Sequence, residues 1–164
     1  MKANIVIAAL PLFVLGCAAK QSDDLTQQQK DQIKMEAKAA FDGSIERFQN
    51  MDVEGALKYY SPEFVFFEAD QRGDFQAYRK ICIEGNNAAT AYNWTLYRME
   101  FLVITKEIVV LSVDGRNEIF MKSGDRITFD PSHYTFAMKN MSGQWKLTYH
   151  HFSGNFETRK AEKK

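Results

Sequence analysis

The sequence predicts an α+β domain in which helices from the first half of the chain cover one face of a curved antiparallel sheet. Two patterns lead to this prediction. Apolar residues between positions 30 and 60 recur at spacings of three and four, as they do on amphipathic helices. From residue 94 onward, short apolar runs alternate with turn residues at hairpin spacing. Helices gathered at one end and strands at the other are typical of α+β architecture.

The first helix is expected over about five turns, from residue 30 to near Asn50. Its apolar stripe consists of Ile33, Ala37, Ala40, Phe41, Ile45 and Phe48. Asp52 can cap a second, shorter helix, which the pair Ser61-Pro62 should end. Asp74 can cap a third helix, with Gly85 as its expected end.

The strands are expected mainly in the second half of the chain. An aromatic run at 64–69 predicts a first strand, followed by a turn at 70–73, and 86–93 is expected to be a loop. The later strands are predicted at 95–104, 108–113, 117–121, 126–130, 134–139 and 145–152. Separators such as Asp114-Gly115 and Ser142-Gly143 indicate an antiparallel meander.

Alternation along the last two strands indicates which side chains face the interior. Successive residues of a strand point to opposite faces, so every second residue shares a side. We assign to the interior the set Trp145, Leu147, Tyr149 and His151 of the last strand, with Tyr134, Phe136 and Met138 of the strand before it. His150 and His133 then belong to the outer face.

Composition excludes several classes of protein. The chain has 164 residues, a length that suits one domain, and 45% of them are hydrophobic, which excludes a disordered chain. Its 21 Lys and Arg balance 21 Asp and Glu, so no nucleic-acid partner is expected. Walker, dinucleotide-binding and serine-elbow motifs are absent from the sequence, and no cofactor is predicted.

The first 17 residues have the pattern of a bacterial lipoprotein signal. Lys2 is followed by an apolar run from 5 to 15, which is too short to span a bilayer and is typical of a secretory signal. Small and aliphatic residues before Cys17 resemble the bacterial lipobox, in which the cysteine is diacylated. We therefore predict a signal peptide at 1–16, lipidation of Cys17 and a tether at 17–29. An ordinary cleaved signal is the alternative.

The lipid anchor predicts a location in the cell envelope. Two or three acyl chains hold a protein on a membrane almost permanently. Ala18 follows the cysteine, and by resemblance to the enterobacterial sorting rule this favours the outer membrane, with the domain facing the periplasm. With Cys17 acylated, Cys82 is the remaining thiol, and its isoleucine neighbours indicate a buried, inert side chain.

The order of elements resembles the nuclear-transport-factor-2-like superfamily, and within it the SnoaL-like branch. The resemblance rests on the ending Gly143-Gln144-Trp145 to His151-Phe152-Ser153 and on Asp52-x-x-Gly55-Ala56-Leu57. The ending is also similar to that of the calcium/calmodulin-dependent kinase II association domain. The resemblance places the domain at 30–156, followed by a charged tail at 157–164.

This resemblance implies a cone: a bent sheet that wraps the long helix and leaves a pocket at its wide end. It also implies a homodimer through the outer sheet face. Members of the superfamily include isomerases, cyclases and dehydratases as well as proteins that only bind or assemble, so the fold does not decide the function.

The candidate pocket residues are aromatic, with two titratable groups. The set is Tyr60, Phe66, Glu68, Trp94, Tyr134, Tyr149 and His151. The aromatic rings could line an open pocket or fill the cone. Glu68 could be a desolvated base or could reach water at the adjacent turn, and His151 could be an acid–base group or a structural one.

A metal site is not predicted. Adjacent side chains on a strand face opposite sides, so His150 and His151 cannot bind one ion, and His133 belongs to the outer face.

The leading functional hypothesis is an anchored envelope protein whose pocket binds a small, partly apolar ligand or a protein partner without catalysis. The alternative is an isomerase- or dehydratase-type enzyme, with Glu68 or His151 as general base and Tyr134 or Tyr149 as donor to an oxyanion. A third hypothesis, an assembly module, expects an apolar outer face that includes Val109, Leu111 or Ile119.

Overall fold

A computed structural model describes residues 25–68 and 71–161 of the chain. The predicted signal peptide, Cys17 and most of the tether lie outside these residues. The elements in chain order are α1 (Gln27–Gln49), α2 (Val53–Leu57), β1 (Tyr60–Glu68), β2 (Gln71–Asp74), α3 (Phe75–Ala88), β3 (Ala89–Thr105), β4 (Ile108–Met121), β5 (Arg126–Met141) and β6 (Gln144–Arg159).

Helix α1 begins within the segment predicted as tether, because Thr26 and Gln29 form a capping box. The Thr26 hydroxyl accepts a hydrogen bond from the Gln29 amide, and the Gln29 side chain accepts one from the Thr26 amide at 2.8 Å. The helix ends at Gln49, as the sequence predicts. Most of its predicted stripe is buried, including Phe41, which is 1% exposed.

Both predicted aspartate caps are confirmed. Asp52 accepts from the amide of Gly55 and Asp74 from that of Ala77, each at 2.9 Å. The predicted end of α3 is wrong, since the helix passes through Gly85 to Ala88 and leaves no loop before β3. Gly85 lacks the positive φ of a helix-ending glycine, so it cannot close the helix in the usual way.

The six strands form one sheet in the order β2-β1-β6-β5-β4-β3. It is mixed rather than antiparallel, because β1 runs parallel to β6 while the other pairs are antiparallel. A parallel pair needs a long crossover connection, which α3 and the meander supply. The sheet is bent and open, and with three helices it matches the predicted cone.

Several predicted strand ends are bends instead. The Asp114-Gly115 pair lies inside the continuous strand β4, and β5 likewise continues through its predicted gap at 131–133. Between Phe129 and Ser132, β5 carries one residue more than β4, so the sheet bulges and bends there. Bulges and turns share the same small and polar residues, which explains the error.

The two ends of the strand region also differ from the prediction. Strand β2 occupies most of the predicted turn at 70–73 and pairs with β1 from Val65↔Asp74 to Glu68↔Gln71. Strand β6 continues to Arg159, which pairs with Arg126. Residues 157–159, assigned from the sequence to a charged tail, therefore belong to the sheet.

The core lies between α1 and the concave face of the sheet. The Phe41 ring packs edge-on against Phe136 at 5.2 Å and Trp94 at 5.9 Å. Val109 and Leu111 are fully buried on this face. The assembly hypothesis placed them or Ile119 on the outer face; that placement is wrong, because alternation along β4 turns Val109 and Leu111 into the core, and Ile119 lines the inner cavity.

The outer face of the sheet carries one apolar row that crosses five strands. The cross-strand neighbours in this row are Leu102, Val110, Ala137, Tyr149 and Val65. Leu102 is 61% exposed. The next row is mostly polar and includes Ser112, Thr135 and His151. We call the first set the outer row.

None of the helices in the described segments has the length and hydropathy of a membrane-spanning helix.

Candidate functional site

A cavity of about 360 Å³ lies at the wide end of the cone, between α1, α3 and the concave side of the sheet. Its apolar wall includes Ile45, Phe48, Ile119, Phe129, Phe136 and Phe152. Its polar groups include Glu68, Asn117, Tyr134 and His150. The aromatic side chains thus leave open space within the cone, in a volume that suits a small molecule.

A second depression, a groove of about 540 Å³, lies on another side of α1, but three of its four charged side chains are already engaged. Arg47 pairs with Asp52 at 2.5 Å, and the Lys146 ammonium donates to the carbonyl of Lys58 at 2.6 Å. Glu36 accepts from the indole N–H of Trp145 at 3.3 Å. The cavity is the better candidate, because titratable and unpartnered polar groups converge on it.

A bulge in β6 determines which histidine faces the cavity. Tyr149 pairs with Ala137 and Leu147 with Met138, so Thr148 is an extra residue in β6. Its hydroxyl donates to the carbonyl of Ala137 at 3.1 Å. The bulge reverses the alternation: Trp145 and Leu147 face inward as predicted, and the next inward residue is His150.

His150 is buried against the cavity wall and hydrogen-bonded to Glu68. The residue is 1% exposed, and its Nε2 lies 2.9 Å from Glu68 Oε1. The rings of Tyr78 and Phe64 meet the imidazole edge-on at 5.1 and 5.4 Å. Nδ1 is buried and has no hydrogen-bond partner among the described residues.

This arrangement selects one form of the imidazole. A carboxylate only accepts, so Nε2 must carry the hydrogen that it donates to Glu68. In the neutral ring, Nδ1 then holds the free lone pair and can take a proton. The Glu68 side chain is 33% exposed, so the pair connects the buried imidazole to the open part of the site.

Tyr134 supplies a hydroxyl donor. The side-chain amide of Asn117 donates to the Tyr134 hydroxyl oxygen at 2.5 Å, which leaves the hydroxyl hydrogen free for another acceptor. Burial, followed by the charge of Glu68, raises the pKa of Tyr134 far above its ordinary value. The hydroxyl therefore stays protonated and can stabilise negative charge on a bound molecule.

Three further groups lie on the α3 side of the cavity. The hydroxyls of Tyr60 and Tyr78 are 3.5 Å apart, and burial raises the pKa of both. Burial also raises the pKa of the Cys82 thiol to about 12. The thiol is therefore inert at neutral pH, as its apolar neighbours in the sequence indicate.

The structure brings four of the seven sequence-predicted pocket residues to the cavity: Tyr60, Glu68, Trp94 and Tyr134. Phe66 is buried behind the wall, 5.4 Å from the ring of Tyr78.

The inward placement of Tyr149 and His151 is wrong. Tyr149 packs outward against Phe67 at 5.8 Å, and His151 is exposed. The extra residue Thr148 reverses the alternation that placed them inside. His150 and Asn117 line the cavity and were not predicted to do so.

Possible metal ligands are not grouped in the described part of the chain. Within residues 25–68 and 71–161, no three His, Cys, Asp or Glu side chains are arranged as metal ligands would be. His133 lies on the outer face, where its Nδ1 is 2.7 Å from Asp114.

Comparison with known proteins identifies the fold. No protein-family model matches the sequence, and no curated protein matches it significantly. A protein from Novosphingobium aromaticivorans assigned as a scytalone dehydratase superimposes with a TM-score of 0.73, covering 85% of this chain and 94% of its own at 8% identity. A nuclear-transport-factor-2-like superfamily protein from Salmonella enterica serovar Typhimurium gives 0.67, with 76% and 92% covered at 12% identity. The fold is nuclear-transport-factor-2-like.

Other structures with this nuclear-transport-factor-2-like fold include an enzyme. A type 2 hexachlorocyclohexane dehydrochlorinase superimposes with a TM-score of 0.62, covering 79% of this chain and 93% of its own at 11% identity. At such low identities the similarity is one of fold, and the function has to be argued from the cavity itself.

Proposed function

We propose that the chain is an acid–base enzyme of the isomerase or dehydratase type, which binds a small, partly apolar molecule in the cavity. The observation that carries this proposal is the His150–Glu68 hydrogen bond at the wall of an open cavity. The sequence's alternative hypothesis named Glu68 or His151 as base, and His150 takes the place of His151. The names of two proteins of this fold describe loss of water and of hydrogen chloride, which supports the same reaction class.

In the proposed reaction, Nδ1 of His150 takes a proton from a carbon of the bound molecule. The electron pair of that C–H bond forms a double bond. In an elimination a leaving group departs from the neighbouring carbon, and in an isomerisation the proton returns at another carbon. Glu68 holds the imidazole in place through Nε2 and faces the positive charge that the ring acquires.

Tyr134 has a complementary role. If the reacting carbon lies next to a carbonyl group, negative charge develops on the carbonyl oxygen, and the free hydroxyl hydrogen of Tyr134 can bond to it. The apolar wall of the cavity keeps bulk water away, so both interactions act in a medium of low dielectric constant.

A general elimination probe tests this function. 5-Nitrobenzisoxazole is a small, neutral aromatic molecule whose ring opens when a base removes its C–H proton and the N–O bond breaks. His150→Phe keeps a ring in the packed site but removes the base, and we expect the catalysed rate to fall by about 100-fold or more. Glu68→Gln should lower the rate less, because the amide oxygen can still accept from Nε2.

The adjacent histidine provides the matched control. His151 is exposed on the opposite face of the same strand, so His151→Gln should leave the rate unchanged. If the folded His150→Phe and His151→Gln variants both retain the rate of the unmodified protein, His150 is not the base. If the probe binds but the His150→Phe and His151→Gln variants react at the same rate, the result would favour ligand binding without catalysis, the leading hypothesis from the sequence.

We also infer that the domain is held at the outer membrane, facing the periplasm, by acyl chains on Cys17. The lipobox-like segment and Ala18 after the cysteine support this inference. An anchored enzyme of this kind would act on molecules in the cell envelope.

We further infer a homodimer through the outer sheet face. The outer row is apolar across five strands and bordered by a largely polar row, the pattern of an interface centre with a polar rim. A second copy of the same face would bury the exposed Leu102 side chain.

A further inference from the structure

Trp94 and Asn117 form a polar edge of the cavity. The two residues are direct cross-strand partners in the β3–β4 pairing, so their side chains leave the sheet next to each other on the same face. Both line the cavity. Together they bring an indole N–H and a side-chain amide into the wall of one cavity.

Each of these side chains has a buried polar atom without a partner. Among the described residues, nothing bonds to the indole Nε1 of Trp94 or to the amide Oδ1 of Asn117. Buried polar atoms in proteins are nearly always hydrogen-bonded, because an unpaired one has lost its hydrogen bonds to water without replacing them. The cavity wall therefore carries an unpaired donor next to an unpaired acceptor. A bound molecule that has one acceptor and one donor side by side would form hydrogen bonds with both.

The side-chain amide of Asn117 lies with its nitrogen toward Tyr134 and its oxygen unpaired. Its nitrogen donates to the hydroxyl of Tyr134 at 2.5 Å, so Oδ1 is the atom left for a ligand. The Tyr134 hydroxyl hydrogen is a second free donor near the same edge. The edge therefore offers two donors and one acceptor.

A glycine keeps space open beside the indole. A Cβ atom at Gly115 would lie 3.0 Å from Trp94 Nε1 and 2.6 Å from the carbonyl oxygen of Thr95. The 2.6 Å contact with the backbone does not occur in folded proteins without a local shift, and the 3.0 Å contact with the indole is tighter than most. Any larger residue at 115 would thus displace Trp94 or the strand, and only glycine fits the present position of the indole N–H.

The charges in the cavity favour a neutral ligand. Glu68 lines it without a cationic side chain beside it among the described residues, and its carboxylate would repel an anionic molecule. Glu118 is engaged by Arg126 and Arg116, so these two arginines are not free to attract an anion.

We propose that the Trp94–Asn117 edge recognises a neutral ring compound that carries a carbonyl oxygen with an N–H or hydroxyl group beside it. The carbonyl oxygen accepts from the Trp94 indole, and the adjacent group donates to Asn117 Oδ1. This inference rests on the proposed function and specifies its substrate class.

The same ligand reaches the proposed base. The ring of Tyr134 lies 4.9 Å from that of Trp94 and 6.1 Å from that of His150, measured between centroids. Tyr134 thus contacts both the polar edge and the imidazole, and we place the rings of the ligand along it. Recognition then occurs at one end of the bound molecule and proton transfer at the other.

Three probes of the same shape test the proposal. 3,4-Dihydroquinolin-2-one carries adjacent N–H and C=O groups, 2-tetralone carries the C=O alone at the same ring position, and tetralin carries neither. We expect affinity in that order, with the lactam about tenfold or more tighter than tetralin, because it satisfies both buried atoms. Trp94→Phe and Asn117→Leu should each remove most of this difference while tetralin binding changes little.

The two tryptophans of the chain give a direct readout in the unmodified protein. In a ¹⁵N-labelled sample the lactam should shift the indole N–H resonance of Trp94, which Trp94→Phe assigns. The Trp145 indole, already bonded to Glu36, should not move.

The outcomes separate this inference from the proposed function. Equal binding of lactam and tetralin, with the Trp94 resonance unmoved, would overturn the recognition edge and leave the apolar cavity and its base in place. Binding of none of the three probes would overturn both. A lactam preference that survives in Trp94→Phe and Asn117→Leu would place recognition elsewhere in the cavity and overturn the inference alone.

Discussion

The imidazole of His150 donates from Nε2 to Glu68 across the parallel pair of strands, β1 and β6, at 2.9 Å. The two residues are 82 positions apart in sequence. Their contact therefore depends on the long crossover that returns the chain to β1. The hydrogen bond links the end of the first strand to the centre of the last.

Removing the acceptor should destabilise the fold. Glu68→Ala leaves a buried N–H without its partner, and we expect the free energy of unfolding to fall by about 1–3 kcal/mol. Glu68→Gln, which still offers an oxygen, should cost less. Urea unfolding measures both, and His151→Ala, on the exposed side, should stay within about 0.5 kcal/mol of the unmodified protein. Equal stability of Glu68→Ala and His151→Ala would show that the bond contributes nothing measurable.

Phe41 should be the most sensitive apolar position of α1. It is 1% exposed and packs on Phe136 and Trp94, so Phe41→Ala removes a ring from the centre of the core. We expect a loss of about 3–5 kcal/mol in chemical denaturation. Met35, which is 61% exposed on the same helix, is the matched position, and Met35→Ala should have little effect. Similar losses at the two positions would contradict this description of the core.

The buried thiol predicts a loss of stability at high pH. Burial raises the pKa of Cys82 from its ordinary value near 9 to about 12, so between these values the unfolded chain releases a proton that the folded chain keeps. The stability that the protonated thiol contributes is complete below pH 9. As the pH rises toward 12, the free energy of unfolding falls by up to about 1.4 kcal/mol per pH unit. Cys82→Ala should show a shallower decline in urea unfolding between pH 9 and 11, and identical slopes would argue against the raised pKa.

The outer row predicts the oligomeric state. Val110→Glu places a charge in the middle of the row, and we expect a dimer to become a monomer in size-exclusion chromatography with light scattering. Met35→Glu, on the exposed side of α1, should not change the mass. A monomer in the unmodified protein at micromolar concentration would contradict a dimer on this face.

Lipidation is testable in the intact protein. With Cys17 acylated, the full-length protein should incorporate labelled palmitate and remain in the outer-membrane fraction. Cys17→Ser should abolish both, whereas Cys82→Ser, which changes the thiol at the cavity, should change neither. A soluble periplasmic protein that carries no label would favour the ordinary cleaved signal.

Helix positions follow from local patterns. The caps Asp52 and Asp74 act within three residues of themselves, so the sequence alone locates both helix starts. For Glu68 the sequence left an inner and a water-facing placement open, and the structure puts it on the inner face with Phe64 and Phe66, at the wall of the cavity.

The errors arise where a strand changes register. Gly115 and the residues near Pro131 have the composition of turns, but they bend strands that continue, because pairing with distant neighbours outweighs the local preference. The bulge at Thr148 has no sequence signal of its own. Only its pairing with β5 reveals the extra residue, and so His151 was predicted inside in place of His150.

Thr148 makes the identity of the buried base depend on a single bulge. If β6 kept its length but lost the bulge, simple alternation would continue beyond Leu147 and the two adjacent histidines would exchange faces of the sheet. Deleting Thr148 itself would instead leave His150 opposite Phe136 and on the inner face. The side chain presented to Glu68 can therefore change through a one-residue shift in strand pairing, without any substitution in the strand itself.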